Sequence, residues 1–212
     1  MSGPDLPVIG VEDASSRWST WWLASGALFI TSALLAAFRS LPGTLDVDAL
    51  AIISTASTLA FSLALVAAGI GAVRRDDTLR LSRGAIISLF LLAVWLPVGP
   101  PLLMVSFDFT SAVPVYVNAL VKLGLCGAIV AGVLRSSLAK PWRFIPAIAL
   151  AAVVLGSLME VAMMSGSVSD QNAMILVSNV LILTRILATG ALGAVALRAA
   201  RARAGSVAVF GG

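Results

Sequence analysis

The chain has 212 residues, of which 59% are hydrophobic and only 11% charged, with a mean hydropathy of +1.04. Soluble globular domains carry about 25% charged residues. The 14 basic and 10 acidic side chains here cannot cover a 21.7 kDa globule, so the excess apolar surface calls for lipid as its solvent. Six spans use nearly all of the chain and exclude a separate soluble catalytic or nucleic-acid-binding domain. The pI near 10.2 is therefore no nucleic-acid signal.

Taken in chain order, the first 17 residues hold Asp5, Glu12 and Asp13 against Arg17 alone, the wrong charge for a secretory leader. They read as a short cytoplasmic segment, residues 1–17. The uncharged stretches that follow predict membrane-spanning helices at Trp18 to Phe38, Ala49 to Val73 and Gly84 to Phe107. Three more are expected at Ser111 to Leu134, Phe144 to Met164 and Ala173 to Leu197, each holding one ionisable residue. A helix needs about 20 apolar residues to cross a hydrocarbon core, and all six suffice. A basic cytoplasmic tail, residues 198–212, completes the chain. The expected fold class is all-α: a polytopic membrane protein whose single domain, residues 18–197, is a bundle of six transmembrane helices in three antiparallel hairpins.

Orientation follows from the basic residues between spans, which are retained on the cytoplasmic side. Arg17, Arg74, Arg75, Arg80, Arg83, Arg135, Lys140, Arg143, Arg198, Arg201 and Arg203 all fall on one side. The other side carries Arg39 with Asp46, Asp48, Asp108 and Asp170. Both termini are therefore predicted inside. Trp18, Trp21, Trp22 and Trp142 agree, since all four fall at the predicted inner interface, where an aromatic belt is expected. Arginine over lysine and abundant alanine suggest a GC-rich bacterial genome, and hence the plasma membrane.

Small residues mark close helix contacts. Ala56, Ala60, Ala64, Ala68 and Ala72 recur at every fourth position of span two, and Gly124, Ala128 and Gly132 do so in span four. In span three, Pro97, Pro100 and Pro101 each remove an N–H donor, so a kink or break is expected there.

The chain has no histidine and one cysteine, Cys126. That removes His-containing metal sites, haem ligation by paired histidines, the Ser-His-Asp triad and intramolecular disulfides. No cofactor and no metal are expected. What remains chemically is Lys122, Glu160 and Arg185, one each in spans four, five and six. A charge at the centre of an isolated transmembrane helix costs about 2.5 to 3.5 kcal/mol, so a retained one faces a partner or a polar cavity. Helical spacing sets Asn118 on the face of Lys122, Ser178 on that of Arg185, and Thr58 on the polar stripe of span two.

These residues predict a polar pocket in the outer half of the bundle, with Lys122, Glu160 and Arg185 giving a net formal charge of +1. That sign suits an anionic small molecule or a lipid headgroup. The expected function is a small transporter or a ligand-binding transport subunit. One alternative is a non-catalytic scaffold whose charges pair with each other or with a membrane-protein partner. A weaker one is an intramembrane lipid-modifying enzyme with Glu160 as its only candidate base.

Overall fold

The computed structural model describes residues 12–40, 46–73, 81–107, 113–136, 140–164 and 171–207, with side chains for 20–40, 46–73, 81–107, 113–136, 142–159, 161 and 175–200. Among the described residues the fold is all-helical: α1 Glu12–Arg39, α2 Val47–Val73, α3 Arg83–Ser106, α4 Val113–Leu134, α5 Lys140–Met164 and α6 Gln171–Val207. All six are long and apolar enough to cross a membrane.

Two helix starts are capped by side chains. The Asp46 carboxylate accepts from the Ala49 N–H at 2.7 Å, and the Ser82 hydroxyl accepts from the Ala85 N–H at 3.2 Å, satisfying donors that a helix start leaves orphaned. At the other extreme, α6 does not stop at Leu197. It continues to Val207, so residues expected as a tail extend the last helix.

The break expected at Pro97, Pro100 and Pro101 is absent, and α3 remains helical through all three to Ser106. Proline has a helix-compatible φ, and the three rings relieve only the carbonyls of Ala93, Leu96 and Pro97 of their donors. The helix then closes normally, with the Phe107 N–H donating to the Leu103 carbonyl at 3.1 Å.

Each helix packs on its chain neighbours, and α6 closes the ring on α1. Specific contacts mark three of these seams: Ser25 meets Ala64 and Ser32 meets Ser57, Gly132 meets Ala85 while Trp95 meets Asn118, and Gly156 meets Leu181 while Trp142 meets Arg198.

The seams are made by small residues, as the absence of a water-driven force between helices in lipid demands. Ala60, Ala64, Ala68 and Ala72 are buried along α2, as their spacing predicts. In α4 only part of the expected stripe is used: Gly132 is buried so close to α3 that an added Cβ would collide with the Ala85 Cβ, whereas Gly124 faces open space. At the closing seam, a Cβ on Gly26 would lie 3.1 Å from the Gly193 carbonyl oxygen, and one on Gly193 would lie 3.1 Å from that of Gly26.

Hydroxyls tie α1 to α2. Ser25 donates to the Ala64 carbonyl at 2.9 Å, Ser32 to the Ser57 carbonyl at 2.8 Å and Ser57 to the Ser32 carbonyl at 3.0 Å, all buried. A double-mutant cycle on Ser32→Ala and Ser57→Ala in detergent is expected to give a coupling of about 0.6 kcal/mol and no more than about 1.7, the range of interhelical hydrogen bonds in membranes. A zero coupling would show that these bonds do not stabilise the seam.

The two ends of the bundle differ. Phe29, Phe61, Leu65, Leu92, Cys126, Ile129, Val133, Leu150 and Leu192 form one buried cluster across all six helices. Phe29 and Phe61 meet edge to face at 5.2 Å between ring centres, a favoured aromatic geometry. Toward Arg39 a cavity opens beside this cluster.

Candidate functional site

The hollow is a cavity of about 320 Å³ at the Arg39 end, lined by residues from all six helices. Part of its lining is apolar: Phe61 belongs to the buried cluster, and Leu96 and Ala152 pack against it. Its walls rise on one face each of α5 and α6. Val153, Gly156 and Ser157 come from α5; Ser178, Leu181, Ile182 and Arg185 recur at helical spacing on α6.

Among the described lining residues three are cationic: Arg39, Lys122 and Arg185, from α1, α4 and α6. They come from three different helices of the bundle.

The seam register sharpens this. Gly26 and Ile30 pack on Gly193, so eight residues along α6 Arg185 sits level with Ala36, one turn or about 5 Å from Arg39. The cavity therefore brings positive charge and apolar surface together. Arg39 Nη1 donates to the Ser54 hydroxyl at 3.0 Å across the mouth, and Ser40 and Ser54 line the same rim.

Of the residues singled out from the sequence, the cavity unites Lys122, Ser178 and Arg185. Glu160 lies in α5 one turn beyond Gly156, and its side chain is outside the described residues. Asn118 and Thr58 are not among the residues that line it. The Asn118 carbonyl oxygen accepts from the Trp95 indole N–H at 3.1 Å in the α3–α4 seam, and the Thr58 hydroxyl donates to the Ser54 carbonyl of its own helix at 3.0 Å. Pro97, Pro100 and Pro101 likewise stay out of the wall, where α3 contributes Leu96.

Arg39 is the residue that sequence reasoning misses, because at the end of a span it reads as loop charge. One signal points to it: it is the lone basic residue on the side that the positive-inside rule leaves poor in cations. Adding it raises the formal charge of the set Lys122, Glu160 and Arg185 from +1 to +2, wherever the Glu160 carboxylate points.

Cations gathered in one cavity attract an anion. The chemistry on offer is charge recognition with hydroxyl donors. Among the described residues no three His, Cys, Asp or Glu side chains come together as a metal site. No family model, curated protein or solved structure matches the chain.

Proposed function

We propose that this chain is a multi-pass membrane protein that binds an anionic small molecule or lipid headgroup in the cavity at its Arg39 end, as a small carrier or as the binding subunit of a transporter. One observation carries the reading: Arg39, Lys122 and Arg185, on three different helices, line one cavity of about 320 Å³ together with apolar side chains. Pockets for small ligands begin near this size, about 300 Å³, and combine an apolar lining with a few converging polar groups.

The topology in this proposal is three antiparallel hairpins with both termini cytoplasmic. It is supported by the basic residues gathered at the end opposite the cavity, where Arg198 stacks over the Trp142 ring at 4.3 Å and Arg143 donates to the Leu134 carbonyl. The cavity then opens outward. The reading is non-catalytic and needs no cofactor. Membrane lipids surround the protein, in the bacterial plasma membrane.

The test is thermal stability of the purified protein in mild detergent, titrated with sodium phosphate, hexyl phosphate and dioleoyl phosphatidate, with choline chloride as the cationic control. At least one anion is expected to raise the melting temperature, by about 2.7 kcal/mol of stabilisation at a hundredfold excess over Kd. Gly156→Leu is the blocking variant. A Cβ there meets only Leu181 Cδ2, at 3.9 Å, so the new side chain fills space without collision. It should leave the unliganded melting temperature unchanged and abolish the shift. A flat response to every anion, with a stoichiometric protein partner co-purifying, would favour the scaffold reading instead.

A further inference from the structure

We infer that α3 is a proline hinge latched from α2: besides the continuous helix it takes a form bent at Pro97, in which the Ser62 hydroxyl donates to the Ala93 carbonyl. Two groups that lack their usual partners, one on each helix, carry this, whatever the cavity binds.

The first group is on α2. Ser62 is buried, and among the described residues its Oγ is the one buried side-chain nitrogen or oxygen without a hydrogen-bond partner. Other hydroxyls of the bundle are bonded. Thr55, Thr58, Thr184 and Thr189 each donate to the carbonyl four residues back in their own helix, and Ser25, Ser32 and Ser57 donate across to a neighbouring helix. A buried hydroxyl left unbonded is costly, so Ser62 marks a place where a further state supplies the acceptor.

The second group is on α3. Pro97 has no N–H, so the Ala93 carbonyl loses the donor four residues on, and Ala93 itself is buried. In a bilayer, serine side chains of neighbouring helices are among the groups that satisfy carbonyls freed by proline.

Register sets the two groups opposite each other. Gly69 packs on the Phe90 ring between α2 and α3, and Phe61 and Leu96 line one cavity, so residue numbers fall along α2 as they rise along α3. Ser62 is seven residues before Gly69, and Pro97 is seven after Phe90. Seven residues make nearly two turns. Each therefore lies on the face of its helix that makes the Gly69–Phe90 contact, at the same level of the seam.

Packing leaves one part of α3 free to move against the other. Ala85, Ser88, Leu89, Leu92 and Ala93 are buried before Pro97, but only Gly99 and Leu103 beyond it. The proline ring presses on the carbonyl four residues back, so the helix bends away from the ring and uncovers the Ala93 carbonyl toward Ser62. The pivot adjoins the cavity, since Leu96 lines it.

Spin labels at Val47→Cys and Val105→Cys, both exposed sites, measure the bend by pulsed dipolar EPR of the full-length protein in nanodiscs, in a Cys126→Ala background. A bend of about 20° acting on the eight residues from Val98 to Val105, a lever of about 12 Å, moves the tip of α3 by about 4 Å. Two distances separated by this amount are expected. Ser62→Ala, which removes only the hydroxyl oxygen, should lose the longer one, and so should Pro97→Ala. A control pair before the hinge, Val73→Cys and Ile87→Cys, should show one distance. A single distance between the outer labels, two distances that either substitution leaves unchanged, or a second distance in the control pair overturns the inference.

Discussion

Arg185→Gln is expected to weaken hexyl phosphate binding by about 10- to 100-fold, the largest effect of any single change in the cavity. A hydrogen bond to a charged group contributes about 1.5 to 3 kcal/mol, and about 1.4 kcal/mol is a factor of ten in Kd. Arg185 lines the cavity from α6, among Ser178, Leu181 and Ile182. Arg185→Lys keeps the charge but loses the fork of donors, so its affinity should fall between wild type and Arg185→Gln.

Arg39→Gln should cost less, because the Arg39 guanidinium at the end of α1 already donates to the Ser54 hydroxyl. Its effect should shrink as salt rises, since ions screen exposed charges within about 10 Å at 0.1 M. Calorimetric titration of the three variants at two salt concentrations checks the order. If Arg185→Gln binds as wild type does, the cavity is not the anion site.

Gly193→Leu is expected to destabilise the bundle by about 3 kcal/mol or more, and Gly26→Leu similarly. Overpacking costs about 1 to 3 kcal/mol where side chains can shift, and more where they cannot. Here one obstacle is backbone. A Cβ on Gly193 would lie 3.1 Å from the Gly26 carbonyl oxygen and 2.9 Å from Ile30 Cγ1; a Cβ on Gly26 would lie 2.7 Å from Leu197 Cγ. A carbonyl in a helix cannot retreat without moving the helix, so either substitution drives α1 and α6 apart and opens the ring where it closes.

Gly127→Leu is the matched control, since nothing lies within 4 Å of a Cβ there. It should stay within about 0.5 kcal/mol of wild type, as surface substitutions do. Unfolding in mixed micelles measures all three. Equal stability of Gly193→Leu and Gly127→Leu would show that the α1–α6 seam is not closely packed. The same variants separate stability from binding, because Gly156→Leu fills the cavity without meeting backbone.

Part of the candidate site is legible in the sequence. Lys122 and Arg185 stand out because charge within an apolar run is costly, and periodicity sets Ser178 on the face of Arg185. The same periodicity assigns Asn118 and Thr58, yet both fall outside the lining, since helical spacing says which residues share a face but not what that face meets. Asn118 meets the Trp95 indole, a partner 23 positions away in sequence. Arg39 is hidden for a related reason. Only the packing of α6 beside α1 brings it within a turn of Arg185.

The sequence by itself determined the number of apolar helices, the lengths of α2 to α5 within a few residues and the need for lipid, because each depends on local composition and a helix rise of about 1.5 Å per residue. Its sparse charges also marked where chemistry was to be sought. Only the tertiary structure decided which faces turn inward, that α6 closes on α1 through Gly26 and Gly193, and that a cavity opens at the Arg39 end. Those features depend on the rotation and register of one helix against another. Shape-matched small residues far apart in the chain set both, and no local pattern encodes which of them will meet.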